Sequence, residues 1–347
     1  MYGYTIEAHS NDPLVDLADR TMVQFSAATV PGAWLVDIVP ALENLPEWML
    51  GAGFKKTARL WRQSLVDTVT MPYEFVTRQL AAGMNNSSFV SKSIEQARAE
   101  DGLGPDEEHA IKWTALSLYL GGADTSVQTI HAFFLAMSMF PDVQRKAQEE
   151  IDRVVGQSRL PSSADRDKLP YINSIVSEAQ RWHPIAPMGF PHVSDEEDHI
   201  AGYRIPKGAL LLPAVWWFTR DPDVYHDAEM FKPERYSEPY NEPLPTDVTF
   251  GFGRRICPGR YLADASLFLT FAQSLAVFNI EKALGEDGKV IEPKHSFRPG
   301  IISPLAPFEM RVAPRTGQHE QLIEDVLQRF PWQESDKNQL GQLGQTS

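Results

Sequence analysis

The chain has 347 residues, 43% of them hydrophobic and 10% aromatic, enough to fill the core of one large domain or two ordinary ones. A formal charge of -14 argues against a nucleic-acid partner, because phosphate binding is built on a basic surface. The single cysteine excludes an intramolecular disulfide framework and any multi-cysteine zinc or iron-sulfur site, and is compatible with a reducing compartment.

In chain order, the opening stretch MYGYTIEAHSNDPLV has no basic segment followed by an apolar one, so neither a signal nor a transit peptide is visible. No stretch reaches about 18 uncharged apolar residues, and the chain reads as soluble. Up to about Glu100 the pattern predicts helices with Trp34, Trp48 and Trp61 as anchors. Pro105, Asp106, Glu107 and Glu108 suit a first helical turn through the fixed φ of proline and the helix dipole. A long central helix is expected from there through Ile111, Leu116, Leu118 and Phe133 to about Phe140. Pro141 and Asp142 restart a charged, amphipathic helix ending near Gly156, and another helix runs from Tyr171 to Trp182, stopped by Pro184. Between Pro184 and Phe218, β-branched and aromatic residues alternate with the turns Ala201-Gly202 and Pro206-Lys207-Gly208, which predicts short strands. A helix follows Cys257; its apolar run, Leu262 to Phe278, holds Asp264 and suits burial in a large protein better than a membrane. Strands and loops return after about Leu284, and the last thirty or so residues, rich in Gln, Glu and Gly, are expected to fray.

The stretch Phe250-Gly-Phe-Gly-Arg-Arg-Ile-Cys-Pro-Gly-Arg260 puts the lone thiol on a glycine-rich loop that passes into a helix at Pro258. A thiolate just before a helix start is stabilised by the positive end of the dipole and by free N-H groups. Gly253 and Gly259 let backbone approach a flat macrocycle, and Arg255 offers a fixed cation for a carboxylate on its rim. Without this context, a lone cysteine is ordinarily an inert buried thiol.

Phe250, Gly253, Arg255, Cys257 and Gly259 match the haem-binding signature of the cytochrome P450 family at its defining positions, and the chain resembles that family. The resemblance implies that Cys257 is the axial thiolate ligand of a haem iron, in heme b (iron protoporphyrin IX), and that Arg255 pairs with a haem propionate. Further motifs follow in order. Gly121-Gly-Ala-Asp-Thr-Ser126 interrupts the long helix with two glycines, each costing about 1 kcal/mol relative to alanine, which requires a packing or functional reason. The segment looks like the family's oxygen-activation motif, with Asp124 as proton relay and Thr125 as hydrogen-bond partner of dioxygen; the alternative is a bent helix with a buried Asp. Glu178 and Arg181, three apart on one helix face, can form a bidentate pair, ordinarily a solvated surface feature. Here Phe231-Lys-Pro-Glu-Arg-Tyr236 resembles the loop whose arginine completes a buried network in the family, making Arg235 the third member. His192, after Pro191, sits where a second propionate partner is often found. His131 and His183 lack a second ligand at metal spacing and read as surface or core residues.

The motifs span about Pro105 to Phe308, and the stretches Pro31-Gly-Ala-Trp-Leu-Val-Asp and up to Phe54-Lys55 are similar to the middle of microsomal fungal members of the kind found in secondary metabolism. Such proteins begin with a membrane anchor, a proline-rich hinge, a strand-rich region and early helices, and none precedes Met1. The expectation is therefore a mainly α protein with small β-sheets, a cytochrome P450 fold lacking its N-terminal anchor and early strand and helix region. Its catalytic domain, N-terminally incomplete, covers 1-315, and 316-347 form a partly disordered tail. Missing strands leave sheet edges unpaired and missing helices open a wall of the haem pocket, so weakened haem retention is expected.

The implied activity is a haem-thiolate monooxygenase that inserts one oxygen atom from O2 into a small, mostly apolar organic substrate. No GxGxxG follows a strand and opens a helix, so electrons are expected from a separate partner, NADPH-cytochrome P450 reductase, which Arg254 and Arg260 can meet. By resemblance Ala123, Met188, Phe190 and Ile302 face the substrate, and the location is the cytosolic face of the endoplasmic reticulum membrane, reached only through an anchor. Two other readings stay open: a haem-thiolate isomerase or dehydratase that needs no O2, and a truncated fragment that catalyses nothing.

Overall fold

A computed structural model describes every residue except Pro31, Asn85, Asp101 and 341-347. Pro31 of the family-like stretch and the end of the expected tail thus lie outside the described residues. The chain forms two compact units, Met1–Asp124 with Pro331–Ser347, and Thr125–Phe330.

In the first unit, α1 (Pro13–Ala28) starts where the Asp12 carboxylate accepts the amide protons of Leu14 and Val15 and Pro13 supplies a preset φ. The same carboxylate accepts the Tyr4 hydroxyl at 2.8 Å and the Glu7 amide at 2.9 Å, which fixes the chain ahead of the helix. After the short α2 (Leu35–Ile38) comes a loop in which Trp48 is 83% exposed, so it is not the anchor that the sequence suggests. It lies outside any helix, with no apolar periodicity to turn it inward. Trp34 and Trp61 meet edge-on with centroids 5.5 Å apart. α3 (Gly53–Ala81) carries Pro72 in its interior and is tied to α1 by the Thr21–Thr68 hydroxyl pair at 2.8 Å. α4 (Phe89–Ala99) begins with a reciprocal Ser88–Ser91 capping box. α5 (Pro105–Met139) opens on Pro105 and its three acids and contributes Ile111 and Ala115 to a core with Leu14, Phe75, Val76, Val90 and Ile94.

The second unit continues from Thr125 on α5. α6 (Pro141–Val154) buries Val143, Ala147 and Ile151, spaced one turn apart, and α7 (Pro170–Trp182) buries nearly its whole second half. Four short strands follow, β1 (His192–Val193), β2 (Asp198–Ile200), β3 (Tyr203–Ile205) and β4 (Leu210–Leu211), pairing β1 with β4 and β2 with β3, all antiparallel. The β2–β3 turn uses Ala201 and Gly202 at φ 52° and 84°, the left-handed pair that suits a two-residue hairpin. α8 (Val215–Phe218) and α9 (Thr246–Thr249) flank a long loop, and α10 (Arg260–Val277) crosses the core. There Phe271 stacks on Phe133 at 3.9 Å and 9°, and each fully buried ring of this size contributes roughly 2–3 kcal/mol. The start of α10 is different: Leu262 is 74% exposed, whereas Leu267 to Val277 line the core.

β5 (Phe278–Lys282) and β6 (Met310–Pro314) form the third antiparallel pair. Gln144 of α6 lies against β5, its amide donating to the Ile280 carbonyl and its oxygen accepting the Ile280 N-H, both at 2.8 Å. Within 316-347, α11 (Gly317–Arg329) packs on α10 and β6, with His319 buried. α12 (Lys337–Leu340) belongs to the first unit, where Leu340 joins the core and the Asp336 carboxylate accepts the Thr5 amide at 2.8 Å. The whole is mainly helical with small antiparallel sheets, and among the described residues no helix is long and apolar enough to cross a membrane.

Candidate functional site

Between α9 and α10 the chain folds back on itself. Gly251 (φ 79°) and Gly253 (φ 54°) take left-handed conformations that a side chain would strain, and a single 3-10 turn spans Gly253–Arg255. The Cys257 amide donates to the Phe250 carbonyl at 2.8 Å, closing the loop, and the Ile256 amide donates to Gly253. The helix begins at Arg260, two residues later than the sequence suggests, because Pro258 and Gly259 form the turn that enters it. Cys257 is half-buried, Gly253, Arg255 and Gly259 are exposed, and Phe250 is half-buried.

These residues suit a haem. Among the described residues no three or more His, Cys, Asp and Glu side chains group to hold a metal ion, and the single thiol of Cys257 suits an ion that brings ligands of its own, as iron does in a macrocycle. A Cβ added at Gly253 would meet nothing within 4 Å, leaving a flat approach beside the thiol. Arg255 holds its guanidinium in the open on the same turn. His192 is exposed on β1 opposite Leu211, and no contact brings it to Arg255. Arg254 is exposed, while Arg260 is partly buried and donates to the Tyr261 hydroxyl.

Asp124 and Thr125 are half-buried in mid-α5. At Gly121 and Gly122 an added Cβ would also meet nothing within 4 Å, so packing does not account for either glycine. Asp19 of α1, which no sequence signal singled out, faces this acid: although its side chain keeps solvent contact, desolvation first and the charges of Asp124 and Asp16 next raise its carboxyl above the usual range. Of the residues assigned to the substrate by resemblance, Ala123 is exposed, as are Met188 (47%) and Phe190 (53%), whereas Ile302 is buried.

Glu178, Arg181 and Arg235 come together with no exposed surface at all. Arg181 grips Glu178 in two bonds of 2.8 Å each, and Arg235 donates to the same carboxylate at 3.1 Å. The Lys232 amide at 2.8 Å and the Tyr236 hydroxyl at 2.9 Å complete its shell. Glu242 is a fourth charged member, pairing with the other side of Arg235, so two carboxylates face two guanidiniums. Burial opposes the charge of Arg181 but its bonds to Glu178 outweigh this and raise it; burial likewise opposes Glu242, whose bond from Arg235 holds it below the usual carboxylate range. Arg181 also donates to the carbonyls of Thr219 and Met230, and the Trp182 indole to Glu229, so the segment from Thr219 to Glu242 is pinned to α7 by its backbone. That segment leads directly to α9 and the cysteine loop.

His183 is a core residue and His131 a surface one. The Ser303 carbonyl, which can only accept, requires a proton on His183 Nε2, so Nδ1 accepts from His295 Nε2 at 3.3 Å. His295 in turn stacks on Trp182 at 3.8 Å.

Comparison with known proteins fits this geometry. The cytochrome P450 family profile matches residues 21–311. A multifunctional cytochrome P450 monooxygenase of Aspergillus fumigatus is 46% identical over 330 residues, 94% of this chain and 62% of that protein. A cytochrome P450 monooxygenase of Ampulloclitocybe clavipes is 46% identical over 98% of this chain and 63% of its own length, and the O-methylsterigmatocystin oxidoreductase of Aspergillus flavus is 40% identical over 99% and 64%. The chain thus spans less than two thirds of the length of these relatives. With a family profile covering most of its residues, relatives of this identity, and a thiol loop and buried Glu-Arg network in one unit, the chain belongs to the cytochrome P450 family.

Proposed function

We propose that the chain carries the haem-thiolate part of a monooxygenase that inserts one oxygen atom from O2 into a small, mostly apolar organic substrate, with heme b (iron protoporphyrin IX) as cofactor. The observation that carries this reading is the cysteine loop, a half-buried thiol held ahead of α10 by two left-handed glycines and the Cys257–Phe250 backbone bond. Haem, when bound, supplies the iron at which dioxygen is reduced and cleaved. Cys257 contributes the thiolate, favoured by the N-terminal end of α10. Gly253 and Gly259 give backbone access, Phe250 accepts the cysteine amide, and Arg255 pairs with a propionate, with His192 as the second partner. Thr125 would donate a hydrogen bond to dioxygen bound there, and Asp124 would pass protons towards it from solvent; both are half-buried in α5. This acid-alcohol pair favours oxygen chemistry over the rearrangement of a pre-oxidised substrate. Glu178, Arg181 and Arg235 hold the segment that precedes the cysteine loop.

Electrons come one at a time from NADPH-cytochrome P450 reductase, and the place of action is the cytosolic face of the endoplasmic reticulum. The names of the fungal relatives support this class of reaction. The test is the absorption spectrum of the haem-reconstituted protein, reduced and treated with carbon monoxide. A strongly red-shifted Soret band that disappears in Cys257→Ser is expected; an unshifted band in the wild type refutes thiolate ligation.

A further inference from the structure

The first unit holds a cavity with its own chemistry. It holds about 120 Å³, partly open to solvent, and its lining includes Met1, Tyr2, Leu14, Thr68, Pro72 and Tyr119. Tyr2 is only 7% exposed, and its hydroxyl has no hydrogen-bond partner among the described residues. A buried hydroxyl left without a partner costs stability, and natural proteins rarely keep one without use. Pro72 stands inside α3 and has no N-H to give the carbonyl of Thr68, which the residue at that position of an ordinary helix would satisfy. The Thr68 hydroxyl is already engaged, with Thr21 at 2.8 Å and the Ser64 carbonyl at 2.7 Å.

Most of the remaining lining is apolar; Tyr4, also in the lining, holds its hydroxyl on Asp12, and the Tyr2 and Tyr119 rings meet edge-to-face at 5.8 Å. Burial, and Tyr119 after it, push the Tyr2 hydroxyl up, so it remains a neutral donor at physiological pH. No Lys or Arg side chain lines the space, and burial first, then the carboxylates of Asp19 on α1 and Asp12 at its cap, push the Tyr119 hydroxyl up. These carboxylates make a neutral ligand the better match. The volume is close to that of engineered apolar cavities of about 150 Å³ that take up benzene.

We propose that this cavity binds a neutral, single-ring molecule bearing one hydroxyl or carbonyl group, the polar group on the Tyr2 hydroxyl and the ring against Leu14, Pro72 and Tyr119. The proposal rests on nothing in the haem-thiolate reading. Tyr119 stands five residues before Asp124 on α5, so a ligand here touches the helix that carries the acid.

Titration of the full chain with phenol, toluene and benzoate by saturation-transfer NMR tests this. Phenol should bind about tenfold tighter than toluene, the fold-change of one ordinary hydrogen bond, and benzoate should not bind. Tyr2→Phe keeps the ring, and should melt no lower than the wild type while phenol falls to the toluene level. Ile6→Trp, at a lining position 52% exposed, should block both ligands without disturbing the core. Phenol binding no tighter than toluene or benzoate, or unchanged in either variant, overturns the proposal, as does the failure of phenol to bind.

Discussion

Replacing Glu178 by Gln keeps the shape of the side chain and removes its charge. The carboxylate accepts five hydrogen bonds, two from Arg181, one each from Arg235 and Tyr236, and one from the Lys232 amide. A glutamine keeps one acceptor oxygen, and its NH2 must confront guanidinium donors that have nowhere else to turn. With Glu242 as the remaining carboxylate, two buried guanidiniums then share one negative partner. Removing one partner of a buried ion pair costs about 3–5 kcal/mol, a large share of the roughly 5–15 kcal/mol that holds a folded protein together. The control is Arg145→Ala, whose partners Asp142 and Glu149 are largely exposed, so its loss should be at most about 1 kcal/mol. Urea denaturation followed by tryptophan fluorescence, with haem content measured as the pyridine haemochrome, compares the two. Glu178→Gln should lower the midpoint far more than the control and purify with little haem. Full haem content and a midpoint shift no larger than that of Arg145→Ala refute the assignment.

Two further outcomes are expected. Thr125→Ala should lower NADPH-dependent product formation by about 10- to 100-fold while raising peroxide release, as loss of a positioned proton donor requires; unchanged coupling of NADPH to product removes Thr125 from the reaction. Acid should weaken the second unit through its buried histidines. Burial first lowers His183 to about 4, with Arg220 adding to it, and burial, His183 and Arg220 lower His295 to about 3. The unfolded chain, with both near 6.5, then binds more protons than the folded one below that pH, so stability falls as pH drops from about 6.5 towards 4. Each histidine contributes a slope of about 1.4 kcal/mol per pH unit, and His183→Gln should remove its share between pH 6.5 and 5, above the range where carboxylates titrate. Equal slopes in urea denaturation of the two proteins contradict this.

Helix starts were legible because their causes are local. Pro105 with its acids, Pro141 and the apolar spacing of α6 act within a turn or two, and the observed helices begin at those prolines. The cysteine loop was legible for a different reason, because glycines forced into left-handed φ leave a spaced signature around Cys257. What stayed hidden depends on distance along the chain. Tyr236 reaches Glu178 across 58 residues, and Glu242 meets Arg235 through an irregular loop with no periodicity to betray it. Asp19 and Asp124 face one another only because α1 and α5 fold into the same unit. Trp48 misled in the opposite direction, since a large aromatic side chain suggests burial wherever it occurs and only its loop context leaves it outside.

Gln144 has a consequence for how the protein behaves in a crowded solution. A two-stranded sheet offers its outer strand to any passing chain, and strand addition begins with the free N-H and C=O of a residue such as Ile280. Gln144 binds both with a side chain that has the same amide chemistry but cannot extend into a strand, and Gln148 takes the Phe278 carbonyl at 3.0 Å. The helix thereby serves as a stopper on β5, closing the route by which edge-to-edge aggregation starts.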